Sequence, residues 1–577
     1  MSDHTSLQTS DDKAGSDDKE NVSIGGSVGG ASLLMAVQII TKLFTFALNQ
    51  YLIQFISPNV FGISAYLEFL ISSILFFSRE GIRIAIQKLS LTDPVTDENK
   101  DEVDHLSKVG LNQSIINKGF LPLIVGIPIT ILIGIWQYNS HSFETGLQQL
   151  NYHHYTILIT VISIFVELAI EPIYVLNQFL LNIKRRSQIE GLAVFFRCVI
   201  IVGIILVINK FELLEDDFTG VAVLAFALGQ LAYSLVLAVG YLSVFIWENK
   251  RGDNEKLQLK IQRIFYKSEK SLYFHPKALK TWKNLFLQMI FKQMLTEGDK
   301  MLVNYFFSVK QQGIYSVMSN YGSILARLVF QPIEETVRLS FSKSLSALDC
   351  NINEVKQSYK SLKLISLLYF NLSILILLAG TTNASYLLTI ILGRGGSSKW
   401  VGSEIFSLFP TYISYLPLLA FNGIFEALFS SLATDKDIRQ SSVFMTSLTI
   451  SSLLLSVVLI EYFHLGLTGL IVSNAFNMAS RITYCASKIT AFYSSFGIQV
   501  SIWKIINYLK SSILVAAIFA FVQYKFVLKG EGLSTKSHLQ FFESCLVALL
   551  CLISLLLLEL KSIKETIGAR RSKVKSL

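Results

Sequence analysis

Seven polar residues of one segment, Ser316, Asn320, Ser323, Arg327, Gln331, Glu334 and Arg338, follow one another at spacings of 4, 3, 4, 4, 3 and 4. On a helix those spacings draw a single stripe several turns long, with largely apolar residues on the other faces. A thinner stripe runs through Ser64, Glu68, Ser72, Arg79 and Arg83. A third segment carries Gln38, Lys42, Thr45 and Asn49, and a fourth carries Lys292, Thr296, Asp299 and Lys300, with Glu297 beside them. Arginine offers a planar, two-pronged donor matched to phosphate and carboxylate oxygens, whereas lysine is a point charge. All four segments are otherwise apolar enough to sit in a bilayer, where an ionised side chain near the centre costs about 3 kcal/mol. Such residues must face one another or water. One reading is structural pairing, Glu334 or Glu335 with Arg338 and Asp299 with Lys292 or Lys300. The other is a hydrated cavity between two helical lobes. Its cations would be Lys42, Arg79, Arg83, Lys292, Lys300, Arg327 and Arg338. Its polar and acidic partners would be Glu68, Glu297, Asp299, Asn320, Gln331 and Glu334. The length of the stripes and their recurrence favour the cavity.

Other chemistry is weakly represented. Gly393-Arg-Gly-Gly-Ser-Ser-Lys-Trp400 lacks the Gly-Lys-Ser/Thr ending of a phosphate loop and reads as a flexible loop. Glu167 and Glu171, one turn apart before Pro172, read either as a proton-coupling pair or as structural groups at a kink. No Walker motif, dinucleotide fingerprint or nucleophile elbow is present, so neither an enzymatic activity nor a cofactor is expected. The five cysteines include no CxxC pair, and the eight histidines form no HExxH. His153 and His154 are adjacent, which points side chains apart on most backbones, so no metal site is expected.

The elements that must hold these residues are membrane helices. The chain is 52% hydrophobic and only 16% charged, against about 25% charged in soluble domains. We read apolar segments near 29–54, 59–78, 115–137, 155–180, 188–209, 219–247, 283–307, 313–337, 362–380, 403–432, 440–461, 466–490, 508–528 and 540–560, about fourteen spans in all. The five tryptophans fall at or near span ends, as interfacial anchors do. The net charge of +9 lies in short loops between apolar segments. It therefore points to the membrane surface and not to nucleic acid. Roughly 35 Lys and Arg fall on the side shared by both termini and about 7 on the other, which predicts cytosolic termini. Asn383-Ala-Ser385 is a lumenal sequon too close to the membrane to be glycosylated. The chain divides into a polar acidic tail (1–27), a six-helix lobe (28–247), a basic cytosolic loop (248–282), a second six-helix lobe (283–490), two further spans (491–560) and a basic tail (561–577). The polar, acidic start is no cleavable signal sequence, and the first span acts as a signal-anchor. Lys573 and Lys575, five and three residues from the end, read either as a cytosolic dilysine retrieval signal or as a basic tail near anionic lipid.

The halves are related. Ser57-Pro-Asn-Val-Phe-Gly62-Ile63 matches Ser308-Val-Lys-Gln-Gln-Gly313-Ile314, and each motif leads into a span ending at Arg83 or Arg338. The glycine-to-arginine distances differ by four residues, about one helical turn. Six spans separate the motifs, so the repeat is parallel, about an axis normal to the membrane.

At these motifs the chain resembles the eukaryotic dolichol-linked oligosaccharide translocation family, the Rft proteins, and above all fungal members. The resemblance is carried by Phe76-Phe-Ser-Arg-Glu-Gly-Ile-Arg83, Leu295-Thr-Glu-Gly-Asp-Lys-Met-Leu-Val-Asn304, Gly313-Ile-Tyr-Ser-Val-Met-Ser-Asn-Tyr-Gly322, Pro332-Ile-Glu-Glu-Thr-Val-Arg-Leu339 and Asn422-Gly-Ile-Phe-Glu-Ala427. It extends from the first span to the last. It implies an all-α polytopic protein of the multidrug and oligosaccharidyl-lipid exporter superfamily, with two pseudo-symmetric six-helix lobes and two extra C-terminal helices. It also implies a substrate, dolichyl diphosphate carrying five mannoses and two N-acetylglucosamines, moved to the lumenal leaflet of the endoplasmic reticulum. By likeness to the bacterial lipid II flippase of that superfamily, Arg79, Arg83, Arg327 and Arg338 fit the role of cavity cations. An accessory that binds the glycolipid without moving it, or an exporter of another amphiphile, shares the same sequence features.

Overall fold

A computed structural model describes residues 44, 46–87, 108–140, 142–180, 182–210, 217–251, 257–265, 271–274, 293–294, 297–345, 352–393, 399–498, 502–530 and 532–574. The described chain is almost wholly helical. Beside the helices stands one two-residue antiparallel pairing, Ile264–Phe265 with Ser271–Leu272. We number the helices α1 (46–53), α2 (Pro58–Gln87), α3 (Asn112–Tyr138), α4 (His153–Phe179), α5 (Lys184–Lys210) and α6 (Phe218–Lys250). After α7 (297–306), α8 runs Val309–Leu325, passes a π-helical turn at Ala326–Phe330 and continues over Gln331–Leu345. Then come α9 (Ile352–Ile391), α10 (Ile405–Leu432), α11 (Lys436–Tyr462), α12 (Gly466–Ser495), α13 (Leu509–Val527) and α14 (His538–Glu559). Helix continues from α14 to Val574. Each of the fourteen apolar segments contains helix among the described residues, and ten of these helices are long and apolar enough to cross a membrane.

Local sequence sets several helix starts. Ser57 accepts from the Val60 amide, and Pro58 brings its fixed φ to the first turn of α2. Ser308 and Gln311 form a reciprocal capping box at α8, and Thr434 and Asp437 do the same ahead of α11. α10 runs unbroken through Pro410 and Pro417.

The chain groups into two compact units. The first holds residues up to Phe55, Leu70–Tyr138 and Gln149–Met289. In it α4 packs on α3 and α6 around Ile116, Ile170, Ile173, Leu176 and Leu237. Part of the basic loop is laid on the start of α3. Gln113 exchanges hydrogen bonds with the Gln258 backbone and reaches the Lys260 carbonyl, and Asn117 does likewise with Gln262 and Tyr273. The second unit holds Ile56–Phe69, Asn139–Gln148 and everything from Ile290 onward. There α10 is central, packed on α8, α9 and α12. The matched motifs meet reciprocally: a Cβ at Gly62 would lie 1.8 Å from the Val309 carbonyl oxygen, and one at Gly313 would lie 2.1 Å from that of Pro58. α13 and α14 join α9 through polar groups. Gln523 donates to Thr382 and Ser544, and Asn383 donates to Ser544 at 2.8 Å.

Two expectations change. Trp400 is fully buried in protein and does not face the headgroups, whereas Trp136 and Trp247 are exposed. His153 and His154 do not point apart. Their rings lie 3.8 Å apart in the first turn of α4, with His153 Nδ1 at the Leu150 carbonyl.

Candidate functional site

In the first unit the arginines of α2 are paired. A π-helical turn at Phe76–Glu80 carries Arg79, whose Nη1 donates to Glu167 Oε2 at 2.9 Å. Glu167 is 2% exposed and also accepts from Gln230 and Ser234 of α6. One turn further along, Arg83 grips Glu171 with both prongs, Nε to Oε1 and Nη2 to Oε2, the second at 2.7 Å. Its guanidinium lies 3.7 Å from the centre of the Tyr174 ring, and Arg186 stacks on that ring as well, at 4.5 Å. Glu171 is 1% exposed. The α4 glutamates, read from the sequence as a proton pair or kink residues, are thus counter-ions. The signal was there: Arg79 and Arg83 stand four apart, and so do Glu167 and Glu171.

In the second unit α8 behaves differently. Arg327 is exposed and, among the described residues, bonds only within its own helix, to Asn320 Oδ1 at 3.1 Å and to backbone carbonyls. Arg338 and Gln331 are exposed, and Arg338 has no ion pair among the described residues. Glu334 is half-buried, with its carboxylate against Gly423 of α10. The π turn explains the difference from the drawn stripe. One inserted residue rotates everything after it by about 100°. Glu334 is thereby carried off the line of Asn320 and Arg327 toward α10.

The pairings foreseen here change accordingly. Arg338 does not pair with Glu334 or Glu335. Lys300 pairs with Glu297 at 2.6 Å, one helical turn away, and Asp299 accepts from the Tyr315 hydroxyl at 2.6 Å. Glu68 is exposed and near enough to act on the Lys300 charge. Lys42 and Lys292 lie outside the described residues. The sequence reading did not single out Glu426 of α10, which receives Arg481 of α12 at 3.0 Å and Asn422 at 3.2 Å. Its polar partner Asn422 and Glu426 stand four apart, the spacing that marks one helix face. No group of three or more His, Cys, Asp or Glu placed to hold a metal occurs among the described residues.

The match to known proteins is broad. The family profile described as Rft protein covers residues 26–569. A Candida albicans protein named Man(5)GlcNAc(2)-PP-dolichol translocation protein RFT1 is 42% identical over 549 residues, which is 93% of this chain and 94% of that protein. Its namesake from Saccharomyces cerevisiae is 34% identical over 567 residues, 94% of this chain and 96% of that one. Among solved structures, an inward-facing multidrug resistance MATE family transporter of the MOP superfamily aligns with a TM-score of 0.47 and 14% identity, over 79% of this chain and 95% of that one.

Proposed function

We propose, because this chain belongs to the Rft protein family, that it moves the diphosphodolichol-linked heptasaccharide of five mannoses and two N-acetylglucosamines from the cytosolic to the lumenal leaflet of the endoplasmic reticulum membrane, for protein N-glycosylation. The reading is carried by near-full-length similarity to proteins named for translocation of that glycolipid. The diphosphate and the sugar hydroxyls cannot cross hydrocarbon, since each unpaired hydroxyl costs roughly 2–7 kcal/mol. A helix that presents unpaired guanidinium groups on a polar face can hold the diphosphate while the dolichol chain stays in lipid. Among the described residues Arg327 and Arg338 have no carboxylate partner and are such groups. Arg79 and Arg83 are engaged by buried glutamates and position α2 against α4. Two lobes with boundaries near 28–247 and 283–490, and cytosolic termini, belong to the same reading.

The test is reconstitution of the purified full-length protein in liposomes with the labelled glycolipid in one leaflet. Faster appearance of label in the other leaflet than in protein-free liposomes is expected, slowed by Arg327→Ala and Arg338→Ala. An unchanged rate overturns translocation. Rescue of cellular N-glycosylation by the same protein would then assign it an accessory role.

A further inference from the structure

Twenty-one residues beyond Gly62 stands Arg83, and 21 beyond Gly313 stands Glu334, so the two halves place opposite charges at one position of the repeat. In α2 the arginine finds a glutamate. In α8 the glutamate finds none of the usual donors. Glu334 has no hydrogen bond or ion pair among the described residues, and a Cβ at Gly423 would lie 1.8 Å from its Oε1. Every element packed on it supplies a group. α10 brings Glu426, a second carboxylate, which acts on Glu334 electrostatically together with Arg338 and Glu335 of α8 itself. Arg481 of α12 is taken by Glu426. From α9 comes the Tyr369 hydroxyl, which is fully buried and has no hydrogen-bond partner among the described residues, with Glu334 as the charge that acts on it. Asn422, 7% exposed and next to Gly423, gives its amide nitrogen to Glu426, and its Oδ1 has no donor among the described residues.

The place is therefore rich in acceptors. An ionised carboxylate only accepts hydrogen bonds, whereas a protonated one gains a donor. We propose that Glu334 is a proton-binding site. Protonated, its hydroxyl donates to the orphan Asn422 Oδ1 and its repulsion with Glu426 disappears, which ties α8 to α10. Ionised, it turns to the Tyr369 hydroxyl and ties α8 to α9. The proton is exchanged with water and no bond other than O–H is made or broken. If the translocation reading holds, this switch makes the movement of α8 proton-linked, and only that consequence rests on it.

The site is read without substrate, by infrared titration of the full-length protein. Wild type should show a protonated-carboxyl carbonyl band that vanishes as pH rises. Glu334→Gln should lack the band, Glu426→Gln should keep it, and Tyr369→Phe should move its midpoint. A band that survives in Glu334→Gln, or no titrating band in wild type, overturns the proposal. So does a band removed equally well by sodium at constant pH, which would make the place a sodium site. Where Glu334→Gln does not accumulate, the decision falls to Tyr369→Phe, and an unmoved midpoint there overturns the proposal. In the liposome assay Glu334→Gln should lose its pH dependence, whereas absence of translocation by wild type would refute the transport reading and leave the titration standing.

Discussion

Removing Arg83 should cost more stability than removing Arg79, and the reason lies in what each leaves behind. Breaking a buried ion pair by deleting one partner costs about 3–5 kcal/mol, because the other charge stays in a low-dielectric site. Glu171 is 1% exposed and takes both of its side-chain donors from Arg83, so Arg83→Ala strands it fully. Its cost should reach about 4–5 kcal/mol, roughly a thousandfold or more in the folding equilibrium. Glu167 is as deeply buried but keeps Gln230 and Ser234 when Arg79 is gone. Hydrogen bonds to a charged group are worth about 1.5–3 kcal/mol each, so Arg79→Ala should cost about 2–3 kcal/mol. Replacing both members of the second pair, Arg83→Met with Glu171→Leu, removes the stranded charge and should recover most of the loss. The assay is a double-mutant cycle on reversible unfolding in mixed micelles, with membrane accumulation measured alongside. The reasoning fails if Arg83→Ala matches wild-type stability, or if the double replacement is no more stable than Arg83→Ala.

Arg327→Ala and Arg338→Ala should change stability by no more than about 0.5 kcal/mol, since both are exposed and neither has an ion pair among the described residues. They should nonetheless reduce rescue of N-glycosylation in cells lacking the native protein. Gly62→Ala and Gly313→Ala should sharply lower accumulation, because each new Cβ meets a backbone oxygen that cannot turn aside as a side chain can. Asn117→Ala should expose the basic loop at Gln258–Arg263 to limited proteolysis with little change in overall melting, read by mass spectrometry of the fragments. Asn383 is 3% exposed, so endoglycosidase treatment should leave the mobility of the full-length protein unchanged.

The helices were legible because their signal is local: about twenty apolar residues in a row suffice to predict a span. The Gly62 and Gly313 motifs were legible as a repeat, and the structure gives them a shared role. Each glycine admits the first turn of the other helix. The π turns recur in step too, beginning at Phe76 and Ala326, 14 and 13 residues past those glycines. Neither turn could be read in advance, since a single inserted residue has no residue-type signature. That omission is what misplaced Glu334 on the stripe. The partners of Arg79 and Arg83 were missed for another reason. Helical spacing reveals partners only within one helix, and these pairs span 88 residues. Trp400 shows the limit of placement by composition: a span-end tryptophan can as well be core as anchor.

The polar seam between α9 and the last two helices also has a place in time. Asn383 must find Ser544, 161 residues later in the chain, and Thr382 must find Gln523, 141 residues later. At about 5–20 residues per second of synthesis, that leaves α9 waiting some 7–30 seconds for its partners. During that wait the Asn383 amide, later hidden, stands within a sequon on the side proposed to be lumenal, where the glycosylation machinery works. What shields it in the finished protein is therefore made last. A chain ending before α13 separates the two protections of Asn383: closeness to the membrane predicts no glycan there, and shielding by α13 and α14 alone predicts one.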